Sequence, residues 1–343
     1  MKKENAIVIW RIVFTYMIVA FHFSTTFPWL HEVGFSQGWY LAVEFFFLVS
    51  GYLIYAKYED YLKKYKTAIG YTLHRYADIW PKYIISFIIT FLAIMILGKN
   101  KLPAIPLLWD SKYEIVLLQG IGLDRGWDYI NPTLWYLSVM IISGFLIFFL
   151  LRYLGRFFVG YLAPAVIILF MFLLYNNVGK LDVAVMQPGQ YANYPLYRGI
   201  SEMCLGMYGC IVSKKLKMEN GSFVWKAVSI ICMLAAIIIA TLWGNSRMDF
   251  VVLILMLVGV ATAFLPTEGI PKVVRGWSDI TLEIYLLHEV FRTHIFPHFF
   301  SRDVDVAQKL LYMLLYMAAV TLAAFVLHKC FSIVGLLWKK EKR

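Results

Sequence analysis

IVIWRIVFTYMIVAFHFSTTF, residues 7–27, is an apolar run interrupted by two ionisable groups, Arg11 and His22. About 20 apolar residues is the length a helix needs to cross the hydrocarbon core of a bilayer. Arg11 and His22 are eleven positions apart. At helical geometry that returns them to within about 20° of one face, roughly 16 Å apart along the axis. One side of this span is therefore polar at two depths. Ionisable groups at membrane depth are costly and face a bundle interior or a watery cavity, which makes this face a functional-site candidate. The structural alternative is that Arg11 snorkels to the interface and His22 is a hydrogen-bonded packing residue.

The rest of the chain has the same character. With 61% hydrophobic and 15% charged residues over 343 positions and a mean hydropathy of +0.69, it falls outside ordinary soluble domains and reads as an integral membrane protein. The start, MKKENAIVIW, is basic and then apolar like a secretory signal, but the apolar part is longer and no small-residue cleavage site follows, so a retained first span is expected. Ten spans are predicted, at 7–27, 39–56, 79–98, 132–151, 157–176, 196–213, 223–243, 249–266, 278–296 and 307–328. Segments on the side of the termini carry 18 Lys and Arg, the opposite loops 7. The positive-inside rule then puts both termini in the cytoplasm. Topology and attraction to anionic lipid account for the net charge of +11, so no nucleic-acid partner is called for. The predicted fold is an all-α polytopic membrane protein, one transmembrane domain over 1–343. An extracytoplasmic loop at about 99–131 includes the short apolar piece 113–123, with Trp109, Trp127 and Tyr129 as an aromatic belt. The four cysteines show no metal-ligand spacing.

Several other spans carry polar groups. Glu44 lies in WYLAVEFFFLVSGYLIYA, at a depth matching His22 in the preceding antiparallel span. A carboxylate there could orient the imidazole and raise its basicity, as a general base requires, or could pair with some other buried cation. Ser50 and Gly51 fall near the Glu44 face and suit ligand contact or close helix approach alike. Lys57, Lys63, Lys64, Lys66, His74, Arg75 and Lys82 form a basic cluster in loop 57–78 and the start of the third span. It fits anionic headgroups or the phosphates of a nucleotide-containing cofactor. Arg198 and Glu202 form an i,i+4 pair, and the ninth span holds Glu283, His288, Glu289, Arg292 and His294. Spans 132–151 and 157–176 lack Asp, Glu, Lys, Arg and His and are expected to be outer scaffold. A secondary transporter or glycan flippase would also place charges at midplane, usually with two related halves, and no such symmetry is evident.

The R-x10-H pair, VEFFFLVSGYLI, HRYADIWPKY, TLWYLSVMIISGFLIF and ITLEIYLLH together resemble the bacterial acyltransferase-3 family of membrane acyltransferases, over about residues 7–300. The resemblance implies about ten spans. It also implies transfer of an acyl group, most often acetyl, from cytoplasmic acyl-CoA to a hydroxyl of a cell-envelope carbohydrate, at the cytoplasmic membrane. Arg11 and His22 match the R-x10-H pair, Glu44 an acidic position, Ser50 and Gly51 a Ser-Gly, and Arg75 the first of two cytoplasmic arginines. The second would fall at Asp78, where Lys82 or Lys64 could substitute. Trp135, Arg198, Glu202, Tyr285 and His288 also match, while Met140 replaces a Glu of one branch and Glu283 replaces a small residue. On this basis His22 and Glu44 are the expected catalytic pair. Arg11, Arg75, Lys64, Lys82 and Ser50 are expected to hold acyl-CoA, the co-substrate. Trp135, Arg198, Glu202, Glu283, Tyr285 and His288 are expected to form a substrate-binding or structural network. His22 would act as general base or take the acyl group itself. A thioester is already activated, so no metal is expected.

Overall fold

The computed structural model describes residues 4–27, 36–98, 103–122, 130–184, 192–216, 223–264, 266–267, 270–301 and 304–341. Trp127, Tyr129 and the rest of 123–129, with 99–102, lie outside the described residues of the expected loop 99–131. The chain is helical. The helices are α1 (Ile7–Thr26), α2 (Ala42–Ala56), α3 (Tyr58–Lys64), α4 (Ala68–Leu97), α5 (Ala104–Asp110), α6 (Lys112–Ile115), α7 (Trp135–Phe157) and α8 (Ala163–Asn177). They are followed by α9 (Tyr194–Lys215), α10 (Phe223–Trp243), α11 (Asp249–Ala263), α12 (Lys272–Asp279), α13 (Thr281–Val290), α14 (Phe296–Phe299) and α15 (Val306–Glu341). A two-residue antiparallel pairing of Glu4–Asn5 with Pro266–Thr267 ties the start of the chain to the connection after α11.

Among the described residues, six helical segments are long and apolar enough to cross a membrane: Ile7–Thr26, Trp39–Ala56, Ala68–Leu97, Pro132–Asn177, Phe223–Trp243 and Val306–Ile333. The protein is thus a multi-pass membrane protein. Pro132–Asn177 covers two of the expected spans, α7 and α8, with non-helical backbone at Gly155 (φ 47°) between them. Asp249–Ala263 is a shorter apolar helix. The expected spans at 196–213 and 278–296 fall in α9 and in α13 with the π-turn Phe291–Ile295, where buried charges lower the hydropathy.

The third span departs from its expected bounds. Thr67 caps α4, its side chain accepting from Gly70 N at 3.0 Å, and the helix runs through Pro81 to Leu97. His74 and Arg75 therefore sit on a helix rather than in the loop expected over 57–78, most of which is α3 and the first turns of α4.

At the centre, α2 packs on α9 at close range. A Cβ on Gly51 would lie 1.8 Å from the Met203 carbonyl oxygen, and one on Gly206 2.0 Å from that of Leu48, so the two backbones meet through paired glycines. Helix α1 is held from two sides. Phe14 stacks on Phe45 of α2 with ring centroids 4.6 Å apart, and Val19 and Phe23 pack with Ile284, Leu287 and Tyr316 of α13 and α15. The remaining face carries Arg11, Thr15, Ile18 and His22. Large apolar side chains face outward elsewhere, Ile168 of α8 and Leu322 of α15 among them, as lipid-facing helices require.

Candidate active site

The face of α1 left open by this packing borders an internal cavity of about 510 Å³, within the usual range for small-molecule sites. Arg11, Thr15 and Ile18 line one wall. Ser50 of α2, Arg75 of α4, Tyr136 and Met140 of α7, and Thr281 and Tyr285 of α13 line the others. Five helices thus converge on a space whose formal charges are two guanidinium groups. Arg11 donates from Nη2 to Thr281 Oγ1 at 3.3 Å. Arg75 is exposed, with Asp78 Oδ2 3.9 Å away. Its position brings a second basic charge to the rim of the cavity that Arg11 enters from α1.

The other two expected phosphate partners are placed elsewhere. Lys64 is exposed and 3.2 Å from His74 Nε2, outside the cavity wall. Lys82 donates to Glu283 Oε1 at 2.5 Å, an oxygen that also lies 2.8 Å from His328 Nδ1. Lys82 therefore pairs with the fully buried Glu283 and is not part of the cavity wall.

Glu44 is the main correction to the expected site. It does not reach His22. Its carboxylate accepts from Arg198 Nε at 2.9 Å and Nη2 at 2.5 Å, a bidentate pair with both side chains buried. Arg198 also donates to the Val183 carbonyl at 3.1 Å and lies 3.6 Å from Glu202 and 5.3 Å from the Trp135 ring. In the close contact of α2 with α9, Glu44 faces Arg198 of α9 rather than α1. Glu44, Trp135, Arg198 and Glu202 form a separate buried cluster. The expectation that 132–151 is outer scaffold is also corrected, because Tyr136 and Met140 of α7 form cavity wall. Ser50 and Gly51 divide the two roles left open for them: Gly51 permits helix approach, and Ser50 lines the cavity while donating to the Phe46 carbonyl at 2.7 Å.

His22 lies one turn beyond Ile18 on the cavity-lining face of α1. Its neighbour is His288 of α13, with ring centroids 5.1 Å apart and planes inclined at 37°. His288 Nδ1 is 2.5 Å from the Tyr285 carbonyl oxygen, and its Nε2 is buried without a hydrogen-bond partner among the described residues. Tyr285 donates its hydroxyl to the Thr133 carbonyl. One ligand atom each from His22, His288 and Glu289 lie within 4.8 Å of one another, a three-group cluster that sequence spacing could not reveal. Arg292 holds Glu289 through two bonds, at 2.9 and 2.5 Å. It also donates to the hydroxyls of Thr25 and Thr26 at 3.0 and 2.9 Å, tying the end of α1 to the segment after α13. Tyr136 and Thr281 were not singled out from sequence. The signal available for Tyr136 was a phenol beside Trp135 within an otherwise apolar run.

A family model for an acyltransferase domain, acyltransferase-3, matches residues 4–329. An amino-acid racemase of Enterococcus faecalis is 25% identical over 306 residues, covering 83% of this chain and 40% of that protein. The chain thus spans less than half the length of that relative, and the match is to part of it. No solved structure matches. The motifs around Arg11, Gly51, Arg75 and His288 lie inside the matched region, which is nearly the whole sequence: the chain belongs to the acyltransferase-3 family of integral-membrane acyltransferases.

Proposed function

We propose that this acyltransferase moves an acyl group, most simply acetyl, from acyl-CoA to a hydroxyl of a cell-envelope carbohydrate, and that it works in the cytoplasmic membrane. The observation that carries the reading is the alignment along α1. Arg11, Thr15 and Ile18 line the cavity, and the next residue on that face is His22, beside His288. The donor's shape suits this layout: anionic phosphates at one end, a flexible arm, and a thioester at the other. Arg11 and Arg75 meet the phosphate or pantetheine end, the arm passes the tyrosines, and the thioester reaches the imidazoles roughly 16 Å further along the helix. The acceptor approaches from the Arg292 end. His22 serves the acceptor hydroxyl as general base, or takes the acyl group and hands it on. A thioester needs no Lewis acid for this exchange.

Mass spectrometry of surface glycans from cells expressing the wild type or His22→Ala tests the proposal. Loss of acetyl-sized increments in the variant supports it. Identical glycans, with membranes that do not turn over acetyl-CoA, would refute it. Substrate flux into proteoliposomes without acyl-CoA would instead favour a transporter.

A further inference from the structure

We propose that His288 is a second catalytic residue: with His22 it binds the oxygen of the acceptor hydroxyl, and its Nε2 takes that oxygen's proton. The inference rests on the acyl-transfer reading above and, within it, moves the general-base role from His22 to His288. Three observations carry it.

The first is the state of the His288 ring. A carbonyl oxygen can only accept, so Nδ1, 2.5 Å from the Tyr285 carbonyl oxygen, bears the hydrogen. That leaves the neutral ring with its lone pair on Nε2. A base whose tautomer is held by another group is the arrangement that proton abstraction needs. No comparable bond orients His22 among the described residues.

The second is that Nε2 is buried with no protein donor among the described residues, a costly condition that a hydroxyl from outside the chain relieves. The third is convergence. Ring nitrogens of His22 and His288 lie within 4.8 Å of each other, so one hydroxyl oxygen between them can stand within hydrogen-bond distance of both. Glu289 stands beside them, both of its oxygens held by the Arg292 guanidinium.

The hydroxyl donates to His288 Nε2 and accepts from a ring N–H of His22. As its oxygen attacks the thioester carbonyl, a C–O bond forms and the proton passes to Nε2. Collapse of the tetrahedral intermediate breaks the C–S bond, and the departing thiolate takes the proton from His288, giving the ester, free CoA thiol and a neutral imidazole.

The test uses the full chain purified in detergent, with acetyl-CoA as donor and water as the hydroxyl probe, following release of CoA thiol. His288→Ala is expected to lower kcat about 100-fold or more with the acetyl-CoA KM unchanged. Added imidazole is expected to restore part of the rate. His288→Gln, which retains bulk and polarity but cannot accept the proton, is expected to be as slow as His288→Ala. A wild-type rate in either variant, with His22→Ala inactive, overturns the inference and leaves the acyl-transfer reading standing. A loss in His288→Ala that imidazole does not rescue, accompanied by a raised KM, shows a structural role and also overturns it. So does one equivalent of zinc bound to the wild type and lost with His288→Ala. Failure of the wild type to consume acetyl-CoA removes the reading itself.

Discussion

Arg198 grips Glu44 through two hydrogen bonds, at 2.9 and 2.5 Å, in a pocket where both side chains are buried. The pair joins α2 to α9, and Glu202, 3.6 Å from the same guanidinium, shares its charge. Removing one member strands a buried ion, which typically costs about 3–5 kcal/mol. Glu44→Ala is therefore expected to lower the thermal stability of the detergent-solubilised protein sharply. The acetyl-CoA KM of the fraction that folds should stay near the wild-type value, because Glu44 does not line the cavity. Thermal melts beside steady-state kinetics separate these effects. A melting temperature equal to wild type with lost turnover would return Glu44 to the chemistry.

The two arginines of the cavity should be unequal. Arg11 is half-buried and bonded to Thr281, so a charge-assisted contact to the donor made there is worth about 1.5–3 kcal/mol, and Arg11→Ala should raise the acetyl-CoA KM about 10- to 100-fold. Arg75 is 45% exposed, and its contribution should be about 1 kcal/mol or less and fade with salt. Lys64→Ala should leave KM unchanged at any salt. Measuring KM across a salt series for the three variants checks the order.

The polar face of α1 was legible from residue spacing, because a helix of known period fixes which side chains share a side. Arg11 and the turns after it do line one cavity wall. The partner of His22 was not legible, since His288 is nearly the whole chain away and depth alone does not fix rotation. Glu44 shows the limit: spacing places it in the second span, but its direction depends on a glycine contact that only the packed helices reveal. The role of Lys82 was hidden in the same way, because its partner Glu283 lies on α13.

The glycine contact itself makes a separable prediction. The atom that a Cβ on Gly51 would meet at 1.8 Å is backbone, the Met203 carbonyl oxygen, so no side-chain movement relieves it. Gly51→Ala should cost at least the 1–3 kcal/mol typical of overpacking and reduce folded yield. Ser50→Ala, next in the chain but facing the cavity, should fold normally and change only donor kinetics. Size-exclusion profiles of the two variants, followed by kinetics on the second, distinguish packing from binding.

Chelation should leave acyl transfer intact. The donor carbonyl is already activated by sulfur, and the proposed proton transfer runs through imidazole nitrogens alone. Turnover measured before and after dialysis against a strong chelator is expected to agree within error. Loss of rate restored by a divalent ion would contradict the scheme.

Arg292 supplies the complementary test at the far end of the site. It holds Glu289 in place and ties α1 to the turn after α13 through Thr25 and Thr26, but it does not border the Arg11 cavity. Replacing it with Ala frees Glu289, which is 1% exposed, and loosens the packing beside the two imidazoles that receive the hydroxyl. If donor and acceptor meet at the imidazoles from opposite ends, Arg292→Ala should depress kcat on the order of tenfold or more while leaving the acetyl-CoA KM near wild type. Arg11→Ala should show the opposite split. Finding both variants impaired in KM alone would place donor contacts along the whole of α1 and rule out the two-ended arrangement.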